Sequence, residues 1–96
     1  MLIYTILKID DFERDQGNLE HFAERDIDPT EAQEIFVSEN LLQIIGKGQN
    51  YVAFGKTYHG KYLCIIFTYM GNFRARPITG WKMSPKEKKM FKTKGG

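Results

Sequence analysis

The chain of 96 residues is 42% hydrophobic and 14% aromatic, which is enough for one domain with a thin core and excludes intrinsic disorder. No apolar run approaches the roughly 20 residues that cross a bilayer, and the single cysteine excludes a disulfide framework. Residues 1–48 hold 11 acidic and 4 basic residues, whereas residues 49–96 hold 10 basic residues and one acidic residue. This division predicts a polyanionic ligand on the basic side, unless the two halves interleave in space and neutralise each other.

The first half of the chain predicts one strand and two helices. Residues 1–9 are rich in Ile, Leu and Tyr and predict a strand, and we expect no signal peptide because a basic start and a cleavage site are missing. The segment NLEHFAERD, residues 18–26, predicts a short helix with Leu19, Phe22 and Ala23 on one apolar face.

A second helix has clear start signals. Asp28 can cap it, Pro29 fits its first position, and Glu31 completes a capping box. Its expected end is near Asn40. The apolar stripe consists of Ala32, Ile35 and Phe36.

The second half changes from helical to strand periodicity. LLQII, YVAFGKTY and YLCIIFTYM predict strands separated by turns, and YLCIIF is apolar on both faces, as in a central strand. Cys64 lies in that run and is interpreted as a buried structural thiol rather than a nucleophile. A hairpin turn at Met70-Gly71-Asn72 leads to FRARPITGWKM, in which Pro77 requires either a sheet edge or a bulge.

The last element is a helix with a second capping box. Ser84 and Glu87 define its start, and its expected end is near Lys92, with residues 95–96 as a frayed tail. The order of elements predicts a single small α+β domain over residues 1–96, an antiparallel sheet with two N-terminal helices and one C-terminal helix.

Simple alternation along FRARPITGWKM places basic side chains on one face of the strand. Arg74, Arg76 and Lys82 share that face, and the apolar face includes Trp81. Planar guanidinium groups suit bidentate phosphate binding, so nucleic acid is the expected ligand. Four lysines extend the basic surface along the last helix, although such residues commonly form a solvated face: Lys86, Lys88, Lys89 and Lys92.

The basic half has too few carboxylates or histidines to hold a metal, so any chemistry on RNA is expected to be metal-free. A metal-free ribonuclease needs a proton acceptor, a proton donor and cations near the phosphorane. Groups of these types are His21, His59, Lys56, Arg74, Arg76 and Glu87, and the side chains that could stack on a base are Tyr51, Tyr58 and Trp81.

Several of these residues have equally simple structural explanations. His21 flanks an apolar helix face, where a histidine can act as a general base or only as a hydrogen-bonded side chain. Arg76 can contact phosphate or pair with an acid of the first two helices. Glu87 can be only a capping residue, and Trp81 only a core residue.

Two segments carry an ordered pair of motifs. Residues 12–36, FERDQGNLEHFAERDIDPTEAQEIF, contain N-x-x-H followed by a P-x-E-A helix. Residues 55–91, GKTYHGKYLCIIFTYMGNFRARPITGWKMSPKEKKMF, contain an R-P-I-T strand followed by the last helix. Together they resemble the BrnT family, with its F-E-W-D-x-G-N-x-x-H, P-x-E-A-x-E-V-F, G-x-T-x-x-G-R-x-L and R-P-I-T-A-R elements.

The resemblance implies a RelE-like α+β fold and the toxin of a type II toxin–antitoxin pair. Such a toxin cleaves RNA without a metal or other cofactor and slows translation. A cytoplasmic location is expected already from the sequence, which has neither a signal peptide nor a disulfide framework. The implied partners are RNA and a BrnA-type ribbon-helix-helix antitoxin. DNA is reached only through the complex with that antitoxin, and no membrane is involved.

Carried over residue by residue, the resemblance assigns Asn18 and His21 to N-x-x-H and Arg76 to the arginine of R-P-I-T. Trp81 stands where the family has the arginine of A-R, and Arg14 stands where it has a tryptophan. The leading hypothesis is a metal-independent endoribonuclease. Its catalytic candidates are His21, Arg76, Arg74 and Lys56, and its RNA-binding candidates are Lys82, Lys86, Lys88, Lys89 and Trp81.

Two other hypotheses belong to different functional classes. The tryptophan at position 81 favours a catalytically inactive relative that still binds RNA or its partner. The acidic first half alternatively predicts a docking domain that binds a basic segment of another protein, with the basic half serving only solubility.

Overall fold

The computed structural model describes residues 7–38, 41–45 and 50–94, which form a small α+β domain with one sheet and three helices. The elements are β1 (Asp11–Phe12), α1 (Gln16–Glu24), α2 (Pro29–Glu34) with a 3₁₀ turn (Ile35–Val37), β2 (Leu42–Ile45), β3 (Asn50–Lys56), β4 (Tyr62–Gly71), β5 (Arg74–Lys82) and α3 (Pro85–Lys94). The α+β class and the order of the helices are confirmed. The strand predicted over residues 1–9 is wrong at residues 7–9, which form none, and residues 1–6 lie outside the described part.

The sheet has the order β1-β5-β4-β3-β2, with β1 parallel to β5 and all other pairs antiparallel. The two-residue β1 therefore makes the sheet mixed, whereas the sequence predicts a purely antiparallel one. Strand β4 lies at the centre, as its apolar character on both faces predicts. Its fully buried residues are Leu63, Cys64, Ile65 and Phe67.

Helix α1 begins two residues earlier than predicted and buries a narrower face. Asp15 caps the helix, because its carboxylate accepts the N–H of Asn18 while the Asn18 side chain accepts the N–H of Asp15. Phe22 is buried as predicted, but Leu19 is 38% exposed and Ala23 is also exposed. Only the i, i+4 pair of residues 18 and 22 points inward, so the predicted apolar stripe is wrong at the other two positions.

Helix α2 has the start that the sequence predicts and an earlier end. Asp28 accepts the N–H of Thr30, and Glu31 accepts the N–H of Asp28, which completes the capping box. The α-helix ends at Glu34 and a 3₁₀ turn continues to Val37, short of the predicted end near residue 40, which lies outside the described part. The predicted stripe is confirmed, since these residues are all buried: Ala32, Ile35 and Phe36.

The sheet buries one core on each face. The larger core, which includes residues of α1 and α2, contains Ile9, Phe12, Phe22, Ile27, Ala32, Ile35, Phe36, Ala53, Leu63, Ile65, Phe67 and Ala75. The smaller core, beneath α3, contains Phe54, Cys64, Met83 and Phe91. The predicted capping box of Ser84 and Glu87 starts α3, which runs two residues beyond its predicted end.

The predicted hairpin between β4 and β5 is confirmed, but its turn lies later than predicted: Asn72 and Phe73 are its central residues, whereas Met70 and Gly71 belong to β4. Gly71, Asn72 and Phe73 have φ angles of 83°, 52° and 62°. The left-handed region is readily adopted by glycine and asparagine but is unfavourable for a bulky aromatic residue. Hydrogen bonds hold Phe73 there, because its carbonyl accepts two N–H groups at the start of β1 and its own N–H donates to the hydroxyl of Tyr69.

A bulge interrupts β5 beside its proline. Ile66 pairs with Thr79 and Phe67 pairs with Pro77, so Ile78 is the extra residue between them. The sequence allowed either a sheet edge or a bulge at Pro77, and the structure contains the bulge. One inserted residue reverses the alternation of side chains beyond it.

This reversal corrects the predicted basic face. Arg74 and Arg76, before the bulge, point to the face that carries α3, and Trp81, after it, points to that same face. Lys82 points to the opposite face, where its Nζ atom lies 3.6 Å from a carboxylate oxygen of Asp26. The expectation that all three basic residues of β5 share a face is wrong, because it assumes unbroken alternation.

A methyl group at Gly55 is expected to destabilise the domain. An ideal Cβ atom there would lie 2.6 Å from Cβ of Ile35 and 2.9 Å from its carbonyl oxygen. We expect Gly55→Ala to lower the free energy of unfolding by about 1–3 kcal/mol in urea denaturation. Gly17→Ala in α1 is the control, because the nearest atom there is a side-chain oxygen of Asp15 at 3.3 Å, and alanine favours a helix. A Gly55→Ala protein as stable as the wild type would contradict the close approach of β3 to the 3₁₀ turn.

Candidate nucleic-acid interface

The N-x-x-H and R-P-I-T segments, far apart in sequence, meet at the bulge of β5. Asn18 is 1% exposed, and its Nδ2 atom donates to the carbonyl oxygens of Pro77 at 3.1 Å and Glu13 at 3.0 Å. One helical turn later, Nδ1 of His21 lies 3.0 Å from the carbonyl oxygen of Ile78. Strand β1 has already ended at Phe12, so α1 supplies the donors that these strand carbonyls require.

The contact of His21 fixes where one proton of the ring resides. A carbonyl oxygen only accepts, so Nδ1 carries a proton and donates it to Ile78. Within the described residues this is the one hydrogen bond of the ring, and the side chain is exposed. The hydrogen-bonded interpretation of His21 is confirmed, and Nε2 has no hydrogen-bond partner among the described residues.

Arg76 pairs with the N-terminal end of α1. Its Nε atom donates to Asp15 at 2.8 Å and lies 3.9 Å from a carboxylate oxygen of Glu13. The backbone N–H of Asn18, and then the Arg76 guanidinium, lower the pKa of Asp15, against an opposing effect of burial. The ion-pair interpretation of Arg76 is thus confirmed. In the described part of the chain the hydrogen bond uses only Nε, so the two terminal nitrogens remain available as donors.

Arg74 is engaged more fully. Its Nε atom donates to Asp11 at 2.6 Å and its Nη2 atom donates to Glu13 at 3.3 Å. The parallel pairing of β1 with β5 causes this, because it places Asp11 directly beside Arg74. Around the two arginines the acidic and basic halves of the chain therefore interleave, and the polyanion surface predicted from the overall charge division is neutralised there.

Three lysines instead converge on one aromatic ring. Their Nζ atoms lie 5.6 Å (Lys56), 5.5 Å (Lys88) and 5.3 Å (Lys92) from the ring centroid of Tyr62. Lys56 is the cross-strand partner of Tyr62, whereas the other two lie one helical turn apart on α3. Within residues 7–38, 41–45 and 50–94, none of the three has a carboxylate within 4.0 Å. We call this arrangement the Tyr62 lysine cluster.

The structure brings only some of the predicted RNA contacts together. Lys56 and Lys88 belong to the Tyr62 lysine cluster, together with Lys92. Lys86 and Lys89 are exposed on α3 and, among the described residues, form neither an ion pair nor a cation–π contact. Lys82 lies on the other face of the sheet.

Trp81 is tied to the capping residue of α3. Its Nε1 atom lies 3.2 Å from both carboxylate oxygens of Glu87, and one of these, Oε1, also accepts the N–H of Ser84 at 2.9 Å. Burial alone would raise the pKa of Glu87, but the hydrogen bonds from Ser84 and Trp81 lower it overall. Burial, followed by the charge of Glu87, raises the pKa of the Cys64 thiol far above its ordinary value. The interpretation of Cys64 as a buried structural thiol is confirmed.

The other predicted stacking residues lie in different surroundings. The Tyr51 ring is partly buried and stacks on Phe67, with 5.5 Å between the ring centroids, against the larger core. Tyr58 is 75% exposed in the turn between β3 and β4. Tyr62 was not among the residues singled out in the sequence. Its position six residues after Lys56, across the short turn, is the one local signal that could identify it.

The acidic half lines a wide surface depression near α2. Its volume is about 930 Å³, and its charged lining residues are Asp26, Asp28, Glu31, Glu34 and Lys61. Lys61 bonds to Glu31 at 2.8 Å, which lowers the pKa of Glu31 and raises that of Lys61. This acidic surface is where the docking hypothesis would place a basic partner segment.

Comparison of the chain with protein-family models, curated proteins and solved structures found no match. Within residues 7–38, 41–45 and 50–94, no group of three or more His, Cys, Asp or Glu side chains is arranged to hold a metal ion. Across the same residues, no helix is long and apolar enough to cross a membrane.

Protonation of Glu87 is expected to remove its stabilising contribution. Its pKa in the folded state is depressed, so the contribution is present above the ordinary value of 4.5 and is lost as the pH falls through the folded value. We expect Glu87→Gln to be about 1–2 kcal/mol less stable than the wild type at pH 7. Urea denaturation should show this difference diminish when it is repeated at a pH well below 4.5.

Glu24→Gln provides the matched control for this measurement. Glu24 is exposed at the end of α1, and its replacement should leave stability unchanged at both pH values. A difference between wild type and Glu87→Gln that persists at low pH would show that the charge of the carboxylate is not the source of the stability.

Proposed function

We propose that the protein is a metal-independent endoribonuclease toxin of the BrnT kind. The observation that carries this proposal is the contact of the two motif segments. Asn18 and His21 of N-x-x-H donate to the backbone of R-P-I-T, beside Arg76. In this proposal the domain cleaves RNA, slows translation, and is neutralised by a BrnA-type ribbon-helix-helix antitoxin, through which the complex reaches DNA.

The proposed reaction needs one proton acceptor. His21 Nε2 takes the proton of a ribose 2′-hydroxyl, and the 2′-oxygen attacks the adjacent phosphorus. The bond from phosphorus to the 5′-oxygen breaks, which yields a 2′,3′-cyclic phosphate and a 5′-hydroxyl whose proton comes from water. The histidine is suited to this step because its other nitrogen already donates to Ile78, which sets the orientation of the ring.

Arg76 is the best placed cation for the charge that develops on the phosphorane. Asp15 fixes the guanidinium through Nε, and the terminal nitrogens can donate to phosphate oxygens. Arg74 is less suited, because two carboxylates already occupy its donors. Lys56, the alternative second cation, is also less suited, because its cross-strand partner Tyr62 lies six residues along β4, or about 20 Å, from Thr68, the partner of Arg76.

Induced expression of the chain alone in a bacterium tests this proposal. We expect growth arrest with fragmented RNA, relieved by Arg76→Ala and by His21→Gln, which can keep a donor for Ile78 but has no titratable nitrogen. Arg25→Ala is the matched control, because Arg25 is an exposed arginine at the end of α1. Circular dichroism of the purified variants checks that they fold. Toxicity undiminished in both Arg76→Ala and His21→Gln would contradict the assignment of the site.

A relative that binds RNA without cleaving it is the second candidate. The observation that favours it is the bond of Trp81 to Glu87, because the BrnT family has an arginine in place of this tryptophan. An arginine at this position would put a cation next to Glu87, on the same face as Arg76.

This second candidate predicts that the wild-type protein leaves RNA intact and that Trp81→Arg cleaves it. Purified protein incubated with a labelled RNA in EDTA, followed by gel electrophoresis, gives the answer. Trp81→Phe, which removes the hydrogen bond without adding charge, is the control and should not gain activity. Cleavage by the wild-type protein would eliminate this candidate.

A further inference from the structure

The Tyr62 lysine cluster concentrates positive charge that no carboxylate within residues 7–38, 41–45 and 50–94 neutralises. Lys88 and Lys92 reach the ring from α3, and Lys56 reaches it from the neighbouring strand. Contact of an exposed ammonium group with an aromatic face is only weakly favourable, and it leaves the mutual repulsion of the three charges in place. The single acid of α3, Glu87, is engaged by Ser84 and Trp81 instead.

Four of the other cations in the described residues contrast with this cluster, although Lys86 and Lys89 on α3 are also unpaired there. Arg74, Arg76, Lys61 and Lys82 each have a carboxylate within 4.0 Å. The chain has 12 acidic residues, and carboxylates pair with these four cations. Three lysines nevertheless lie together around one ring, so positive charge is in local excess there. A closely spaced series of phosphates is the ligand chemistry that matches it.

We propose that the Tyr62 lysine cluster is a phosphate-binding subsite for single-stranded RNA, distinct from the bulge of β5. This inference rests on the proposed function in taking RNA as the ligand. On β4, Tyr62 is six residues from Thr68, the partner of Arg76, which corresponds to about 20 Å along the strand. The subsite therefore holds the RNA several nucleotides away from the proposed cleavage position. It supplies affinity, and the groups at the bulge supply the chemistry.

The test compares two double variants of the same helix. Lys88→Gln/Lys92→Gln removes two charges from the cluster, and Lys86→Gln/Lys89→Gln removes two charges from elsewhere on α3. Binding of a fluorescent 2′-O-methyl oligonucleotide, which has no free 2′-hydroxyl and cannot be cleaved, is measured by anisotropy over a range of salt concentrations. We expect the first variant to bind roughly tenfold more weakly at low salt, with a salt slope smaller by about 1.4, and the second to change affinity by less than about threefold.

Lys56→Gln separates the cluster from the helix, because Lys56 lies on β3. We expect it to weaken binding, and to weaken it less when Lys88 and Lys92 are already replaced, as for groups that hold one ligand. Equal losses in the two double variants would overturn the subsite, as would binding of inorganic polyphosphate without binding of the oligonucleotide. A failure of the proposed function alone gives a different result. Unmodified RNA then stays intact, while the two double variants still differ in their affinity for the oligonucleotide, which supports the subsite.

Discussion

Pro77 has no N–H group, and this affects both the pairing of β5 with β4 and the hydrogen bonds between β5 and α1. A proline cannot donate to the ladder of β4, and β5 bulges beside it at Ile78. The carbonyl oxygens of both residues receive side-chain donors from Asn18 and His21, one helical turn apart on α1. The position of α1 along β5 is therefore coupled to the position of the proline. The face on which each later side chain of β5 lies depends on the same residue.

The parallel strand β1 determines how charge is distributed. It places carboxylates beside the arginines of β5. Acidic side chains of the first half and basic side chains of the second half therefore form ion pairs there. These arginines are 41% exposed, so solvent screens each pair, and its main effect is to orient the guanidinium group. The excess of positive charge remains on α3 and at the end of β3, where no acidic segment of the described chain runs alongside.

Local signals in the sequence predicted the elements whose determinants lie within four residues. The capping boxes at Asp28 and Ser84 are correct for that reason, and the central position of β4 follows from its apolar character on both faces. The face on which each β5 side chain lies could not be predicted, because strict alternation of side chains does not account for an inserted residue. Lys82 was therefore assigned to the wrong face. The Tyr62 lysine cluster was also inaccessible, since it depends on the register of β3 with β4 and on how α3 docks.

In the proposed ribonuclease, the two kinds of cation have different physical roles. Arg76 is fixed by Asp15, which orients its remaining donors but reduces the field that the group exerts at a distance. The lysines around Tyr62 are flexible and have no carboxylate within 4.0 Å in the described residues, so their attraction extends to about a Debye length, roughly 8–10 Å at moderate salt. Electrostatic capture of RNA is then a property of the lysines, and orientation of one phosphate is a property of the arginine. Added salt consequently lowers the amount of RNA bound before it disturbs the geometry at the bulge.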